Sequence, residues 1–109
     1  MKVEVLYIEG CPNHRPAVHL VTGALVESGL PGTVVEVPIT SVEQANALAF
    51  PGSPTIRING RDLEPEAEKL SEFSFSCRTY AERGKLSGVP SEDLIRRAIH
   101  QALEKSDGK

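Results

Sequence analysis

The sequence predicts an α/β domain: a four-stranded mixed sheet, built from a βαβ unit followed by a ββα unit and flanked by helices. Three observations carry this. Two apolar runs with strand character, residues 2–8 and 33–37, are separated by a helical pattern that extends to about Ser28. Asn59-Gly60 directly follows Ile56-Arg57-Ile58, and Asn-Gly is the strongest two-residue hairpin signal, so this third strand has an antiparallel partner. The chain then closes on an amphipathic helix.

Taken in order, residues 2–8 carry apolar side chains on both parities, Val3, Val5 and Tyr7 on one and Leu6 and Ile8 on the other. That is the pattern of a strand covered on both faces. Gly10 breaks it. Pro12 and Pro16 bracket the start of the first helix, where proline is harmless because the first four N–H groups have no internal partner. Asn13 is the expected N-cap, with Cys11 as the other candidate. Val18, Val21, Ala24 and Leu25 give the packing face, and Gly29 is a natural C′ residue.

The second strand, 33–37, is expected to end at Pro38 and to lie parallel to the first through a right-handed crossover. Ser41-Val42-Glu43-Gln44 reads as a capping box that opens a short helix to about Ala49. Beyond the Asn-Gly turn, two stretches can supply the fourth strand: Arg61-Asp62-Leu63, or residues 73–80, which are the ones expected. Between them, the acidic residues 64–72, which include Pro65, read as a solvated loop or a single helical turn. Residues 82–90 read as a Gly-containing loop. Ser91 caps the last helix, with Glu92 and Asp93 in the first turn where the dipole favours negative charge. Leu94, Ile95, Ala98, Ile99, Ala102 and Leu103 form its apolar face.

With 109 residues the chain makes one domain, because single domains cluster around 100–150 residues. A chain of this length buries roughly 65% of its unfolded surface, so no metal or disulfide staple is required. Two cysteines are too few for a disulfide scaffold and are left for chemistry or for burial. A net charge of −3 without any Lys/Arg cluster argues against nucleic acid and anionic membranes as partners. No apolar stretch approaches the ~20 residues that cross a bilayer. The start of the chain has strand alternation where a signal peptide has an apolar core, so a cytoplasmic, bacterial-type protein is expected.

The chemistry points to Cys11. A strand that runs out into a cysteine with a helix directly behind it fixes the sulfur in space, and the free N–H groups and positive dipole end of the helix favour a thiolate. Its place in the chain weighs a functional role above an inert thiol. His14, three residues on, shares the helix face with Cys11 and is the expected activator, as imidazolium or as a neutral base.

The order β-Cys-α-β-α-β-β-α, with Cys11-Pro12-Asn13-His14 after the first strand and Ser53-Pro54-Thr55 at the start of the third, resembles the thioredoxin-like family over nearly the whole chain. The resemblance implies that Cys11 stands where the family has the first cysteine of its Cys-x-x-Cys. It also implies that Ser53–Pro54 is a cis peptide, and that Ser53, Pro54 and Thr55 form a substrate-facing loop beside the sulfur. Gly60-Arg61-Asp62 and Ser76-Cys77-Arg78-Thr79-Tyr80 look like a small bacterial branch, some of whose members carry an alkylmercury-lyase-related label. The departure is at position 14, where His replaces the resolving cysteine, so no disulfide can form within the motif.

The expected function is therefore thiol–disulfide exchange of the monothiol type, with a protein disulfide or a low-molecular-weight thiol as partner. No cofactor is implied and nothing sets an oligomeric state. Cys77 is the candidate second thiol, although a small apolar residue packed in a strand is its more ordinary role. The alternatives are a soft-metal module, in which Cys11 and Cys77 give the two sulfurs that Hg(II) or Cu(I) needs, and a non-catalytic interaction domain. A zinc site is not supported, since no Cys/His pair with ligand spacing completes it. Arg57, Arg61, Arg78 and Tyr80 are expected at the surface or a sheet edge, and Glu64, Glu66 and Glu68 in a solvated loop. His19 is expected at the surface, and His100 suits the C-terminal end of its helix.

Overall fold

The structure, a computed structural model, describes residues 1–30, 32–64, 78–82 and 84–107, with side chains to residue 103. Its elements are β1 (Lys2–Ile8), α1 (His14–Glu27), β2 (Thr33–Ile39), α2 (Val42–Ala47), β3 (Thr55–Ile58), β4 (Arg61–Asp62), β5 (Tyr80–Glu82), β6 (Lys85–Ser87) and α3 (Glu92–Asp107). The chain is mixed α/β, with three helices and a four-stranded mixed sheet of order β2-β1-β3-β4. β1 pairs parallel with β2 and antiparallel with β3. Among the described residues no helix is long and apolar enough to cross a membrane.

Both parities of β1 are used. Val3 and Val5, with Ile56 and Ile58 opposite them on β3, pack against Ala17, Val21, Ala24 and Leu25 of α1 and Ile95 and Ile99 of α3. Leu6 and Ile8, with Val37 and Ile39 of β2, pack against Ala45 of α2 and Phe50. The sheet is thus a central layer with α1 and α3 on one face and α2 on the other.

Local chemistry sets the ends of these elements. Gly29, at φ +66, closes α1: its N–H donates to Val26 and that of Leu30 to Leu25, a Schellman arrangement. α2 ends the same way two residues earlier than expected, with Ala49 at φ +53 in the place glycine prefers and Phe50 donating to Ala45. Arg57 is half-buried, not solvated, because its guanidinium donates to the Leu48 and Ala49 carbonyls that this helix end exposes, at 2.7 and 3.0 Å. Ala49→Gly is expected to stabilise the fold by about 0.5–1 kcal/mol, the left-handed strain relieved less the entropy that glycine adds to the unfolded chain. Urea unfolding reads this directly. Ser41 caps α2 by accepting from Gln44 N–H, and the Gln44 side chain reaches back to Thr40. Ser91 likewise accepts from Leu94 N–H at the head of α3 and is itself held by the Glu82 carboxylate.

Three expectations are corrected. β2 continues through Pro38 to Ile39, which an edge strand permits because one side of it has no ladder to lose. The strand that follows β3 in the sheet is Arg61–Asp62, paired across the Asn59-Gly60 turn at φ +51 and +85, and not 73–80. Residues 73–77 lie outside the described residues; Tyr80–Glu82 instead pairs with Lys85–Ser87 in a separate hairpin, where a loop was expected, around Gly84 at φ +77.

Candidate functional site around Cys11

Cys11 stands in the turn between β1 and α1. Gly10, at φ +86, turns the chain, Cys11 N–H donates to the Ile8 carbonyl at 3.0 Å, and the Cys11 carbonyl accepts from His14 N–H at 3.2 Å. Asn13, not Cys11, holds the N-cap position. Its backbone is near helical (φ −96, ψ −2), so its side chain makes no cap bond, which requires an extended backbone. That side chain lies instead against Gly88, where a Cβ would collide with it. The loop between β6 and α3 therefore borders the Cys11 turn.

Cys11 is half-buried and its thiol is free. Among the described residues the sulfur has no hydrogen-bond partner, and His14 is engaged elsewhere. The imidazole Nε2 lies 2.6 Å from Glu36 Oε1, and the ring stacks on Tyr7 with centroids 3.6 Å apart.

The Ser53–Pro54 peptide is cis. Ser53 Oγ accepts from the N–H of Ile8, whose carbonyl accepts from Cys11, so Ile8 ties the cis-proline loop and the cysteine turn together. The strand register, Leu6 opposite Thr55, brings these two loops to the same end of the sheet. Ser53, Pro54 and Thr55 are buried, and most of their polar groups are used inside the fold. The Ser53 carbonyl accepts from Arg78 N–H at 2.9 Å, and the Pro54 carbonyl accepts from the Tyr80 hydroxyl at 2.7 Å. Thr55 Oγ1 donates to the Gly52 carbonyl at 2.6 Å.

Behind this loop lies an ion cluster absent from the sequence expectation. Arg78 and Tyr80 are buried, not superficial. The Arg78 guanidinium donates in a two-pronged fashion to Asp62, at 2.8 and 2.7 Å, and also to Glu64 at 2.9 Å and Thr55 at 3.2 Å. It sits over the Tyr80 ring, 4.3 Å from the centroid. Burial opposes its charge, but the Asp62 hydrogen bond, the charge interactions with Tyr80 and Asp62, and the Glu64 bond outweigh that and hold the guanidinium even more firmly protonated than usual. Glu64 thus leaves the solvated-loop expectation, whereas Glu66, Glu68 and Cys77 lie outside the described residues. Among the described residues no buried side-chain nitrogen or oxygen lacks a partner, and no group of three or more His, Cys, Asp or Glu is arranged to hold a metal ion. A weak signal was present in the sequence: Arg78 and Tyr80 share a parity, so they face the same way.

Two predictions arise here. A Cβ on Gly52, at φ +148, would lie 2.8 Å from Arg78 Cβ and 3.1 Å from its Cα. Gly52→Ala is therefore expected to destabilise by about 2 kcal/mol or more, from backbone strain and overpacking together. Urea unfolding would show it. The second concerns alkaline pH. Burial raises the Tyr80 hydroxyl pKa, opposed by the Arg78 charge and reinforced by Asp62 and Glu64. With the folded value above the unfolded one, Tyr80's contribution is complete below about pH 10, where both states are neutral. Above that pH the unfolded phenol ionises first, and stability falls by up to about 1.4 kcal/mol per pH unit. Urea midpoints measured from pH 8 upward should fall more steeply in wild type than in Tyr80→Phe.

No family model, curated protein or solved structure matches this chain.

Proposed function

We propose that this chain is a thioredoxin-like thiol protein that carries out thiol–disulfide exchange through Cys11, without a resolving cysteine in its motif. The observation that carries the reading is the double use of Ile8, whose N–H and carbonyl bind the cis-proline loop and the cysteine turn. A free thiol on a half-buried residue at the head of α1, in a turn tied through Ile8 to the cis-proline loop, suits attack on an incoming disulfide.

The exchange is written as follows. The Cys11 thiolate attacks one sulfur of a disulfide, a Cys11–sulfur bond forms, the substrate's sulfur–sulfur bond breaks, and the departing thiolate takes up a proton. A second thiol, from a protein or a low-molecular-weight thiol of the glutathione class, then attacks the mixed disulfide and releases Cys11. The net change is an exchange in which the incoming thiol ends bonded to the sulfur that Cys11 held and the departed sulfur is left as a thiol, so no other oxidant or reductant is needed.

Incubation of the reduced protein with glutathione disulfide, followed by peptide-level mass spectrometry without reduction, tests this. A glutathione adduct on the Cys11 peptide, lost in Cys11→Ser, is the expected result. An adduct on Cys77 alone, or none, contradicts it.

A further inference from the structure

His14 is held from two sides by residues that the exchange reading does not use. Glu36 Oε1 is 2.6 Å from Nε2, and the Tyr7 ring lies flat against the imidazole with 5° between the planes. The parallel register of β1 and β2 places these groups. Val5 is opposite Glu36 and Tyr7 opposite Pro38, so Tyr7 and Glu36 share the face whose Val3 and Val5 are buried against α1. Where the helix begins, the same face changes from apolar side chains to a phenol and a carboxylate.

The stack fixes the plane of the imidazole and the carboxylate bond fixes its rotation within that plane. An ionised carboxylate only accepts hydrogen bonds, so Nε2 carries the proton and, in the neutral ring, Nδ1 carries the lone pair. His14 is the first residue of α1, and its ring nitrogen faces the Glu36 carboxylate. The described titratable groups in contact with the ring are Tyr7 of β1 and Glu36 of β2, and Cys11 precedes it by one turn, joined through its carbonyl to His14 N–H.

We infer that Glu36 and Tyr7 are positioning residues that orient His14 so that Nδ1 relays the proton of the Cys11 reaction. The inference rests on the exchange reading above. The Cys11 thiol first gives its proton to Nδ1, and the thiolate so formed attacks the disulfide. As the substrate's sulfur–sulfur bond breaks, Nδ1 returns that proton to the departing thiolate. The imidazolium formed between these steps is bound to Glu36. A base oriented by a third group is the recurring arrangement by which weak nucleophiles are activated.

The test uses the full chain with two readouts: nitrogen-15 NMR of the His14 ring, and the rate of Cys11 exchange with glutathione disulfide. Wild type should show the Nε2–H tautomer. Glu36→Gln, which keeps an accepting oxygen, should retain it. Glu36→Leu, at a half-exposed position on an edge strand, should lose the preference and slow exchange about tenfold or more, a fraction of what a positioned proton relay contributes. The NMR spectrum also reports folding in each variant. A Glu36→Leu protein that matches wild type in tautomer and rate overturns the inference while leaving the exchange reading in place, as does an Nδ1–H tautomer in wild type. A wild-type Cys11 that exchanges no faster than in the unfolded chain overturns the exchange reading, and the inference with it.

Discussion

Asp62→Ala is expected to lower the unfolding free energy by about 3–5 kcal/mol, because it leaves the Arg78 guanidinium buried without its two-pronged partner. Domains are stable by only about 5–15 kcal/mol, so this one change would bring the protein close to unfolding. The loss does not measure the value of the pair itself. Removing both charges together, as Asp62→Leu with Arg78→Met, should recover much of the stability, since a buried ion pair roughly breaks even against apolar groups of similar size. Arg78→Lys should not recover it, because an ammonium cannot reproduce a fork that reaches Asp62, Glu64 and Thr55 at once. Urea unfolding of the four proteins decides the matter. An Asp62→Ala cost below about 1 kcal/mol, the range of an exposed ion pair, would contradict the description of the cluster as a buried anchor.

Cys11→Ser should abolish mixed-disulfide formation while changing stability by no more than about 0.5 kcal/mol, the range of surface substitutions. Cys11 is only partly buried, and its backbone bonds to Ile8 and His14 do not involve the sulfur. A hydroxyl is close to a thiol in size but is not a nucleophile toward disulfides at neutral pH. The contrast with Asp62→Ala is useful. One variant removes the sulfur that the proposed exchange uses from an intact fold; the other loosens the Ser53–Pro54 loop, which is joined to the Cys11 turn through Ile8. Exchange by Asp62→Ala should therefore fall even under conditions where the protein remains folded, because Arg78 binds both Asp62 and the Ser53 carbonyl. Rates of glutathione adduct formation on the Cys11 peptide, together with circular dichroism, separate the two effects.

Much of the architecture was legible because it depends on local chemistry. The two-sided apolar pattern of residues 2–8 requires cover on both faces, Gly29 and Ser91 mark helix ends, and Asn59-Gly60 forces a hairpin. What escaped depends on long-range pairing. β4 is two residues long and is a strand only because β3 lies beside it, whereas residues 73–80 have better strand composition. Arg78 reads as a surface residue until Asp62 and Glu64, 16 and 14 positions earlier, are known to converge on it. At the candidate site, the cis peptide at Ser53–Pro54 is as the family resemblance implied. The environment of His14 was not legible. Its neighbour in sequence is Cys11, but its hydrogen-bond partner is Glu36, 22 residues away, and only the register of two parallel strands shows this. The clue was Glu36 itself, an acidic residue on the same parity as Val34.

The most direct test of the central claim compares the exchange rate of Cys11 with glutathione disulfide at neutral pH in the folded protein and in the same protein unfolded by urea, read on the Cys11 peptide. Under the proposed function faster reaction in the folded state is predicted, since the turn at the head of α1, joined through Ile8 to the cis-proline loop, would present the thiol for attack. A folded rate equal to or below the unfolded one would mean that the fold does nothing for this thiol, and would contradict the account.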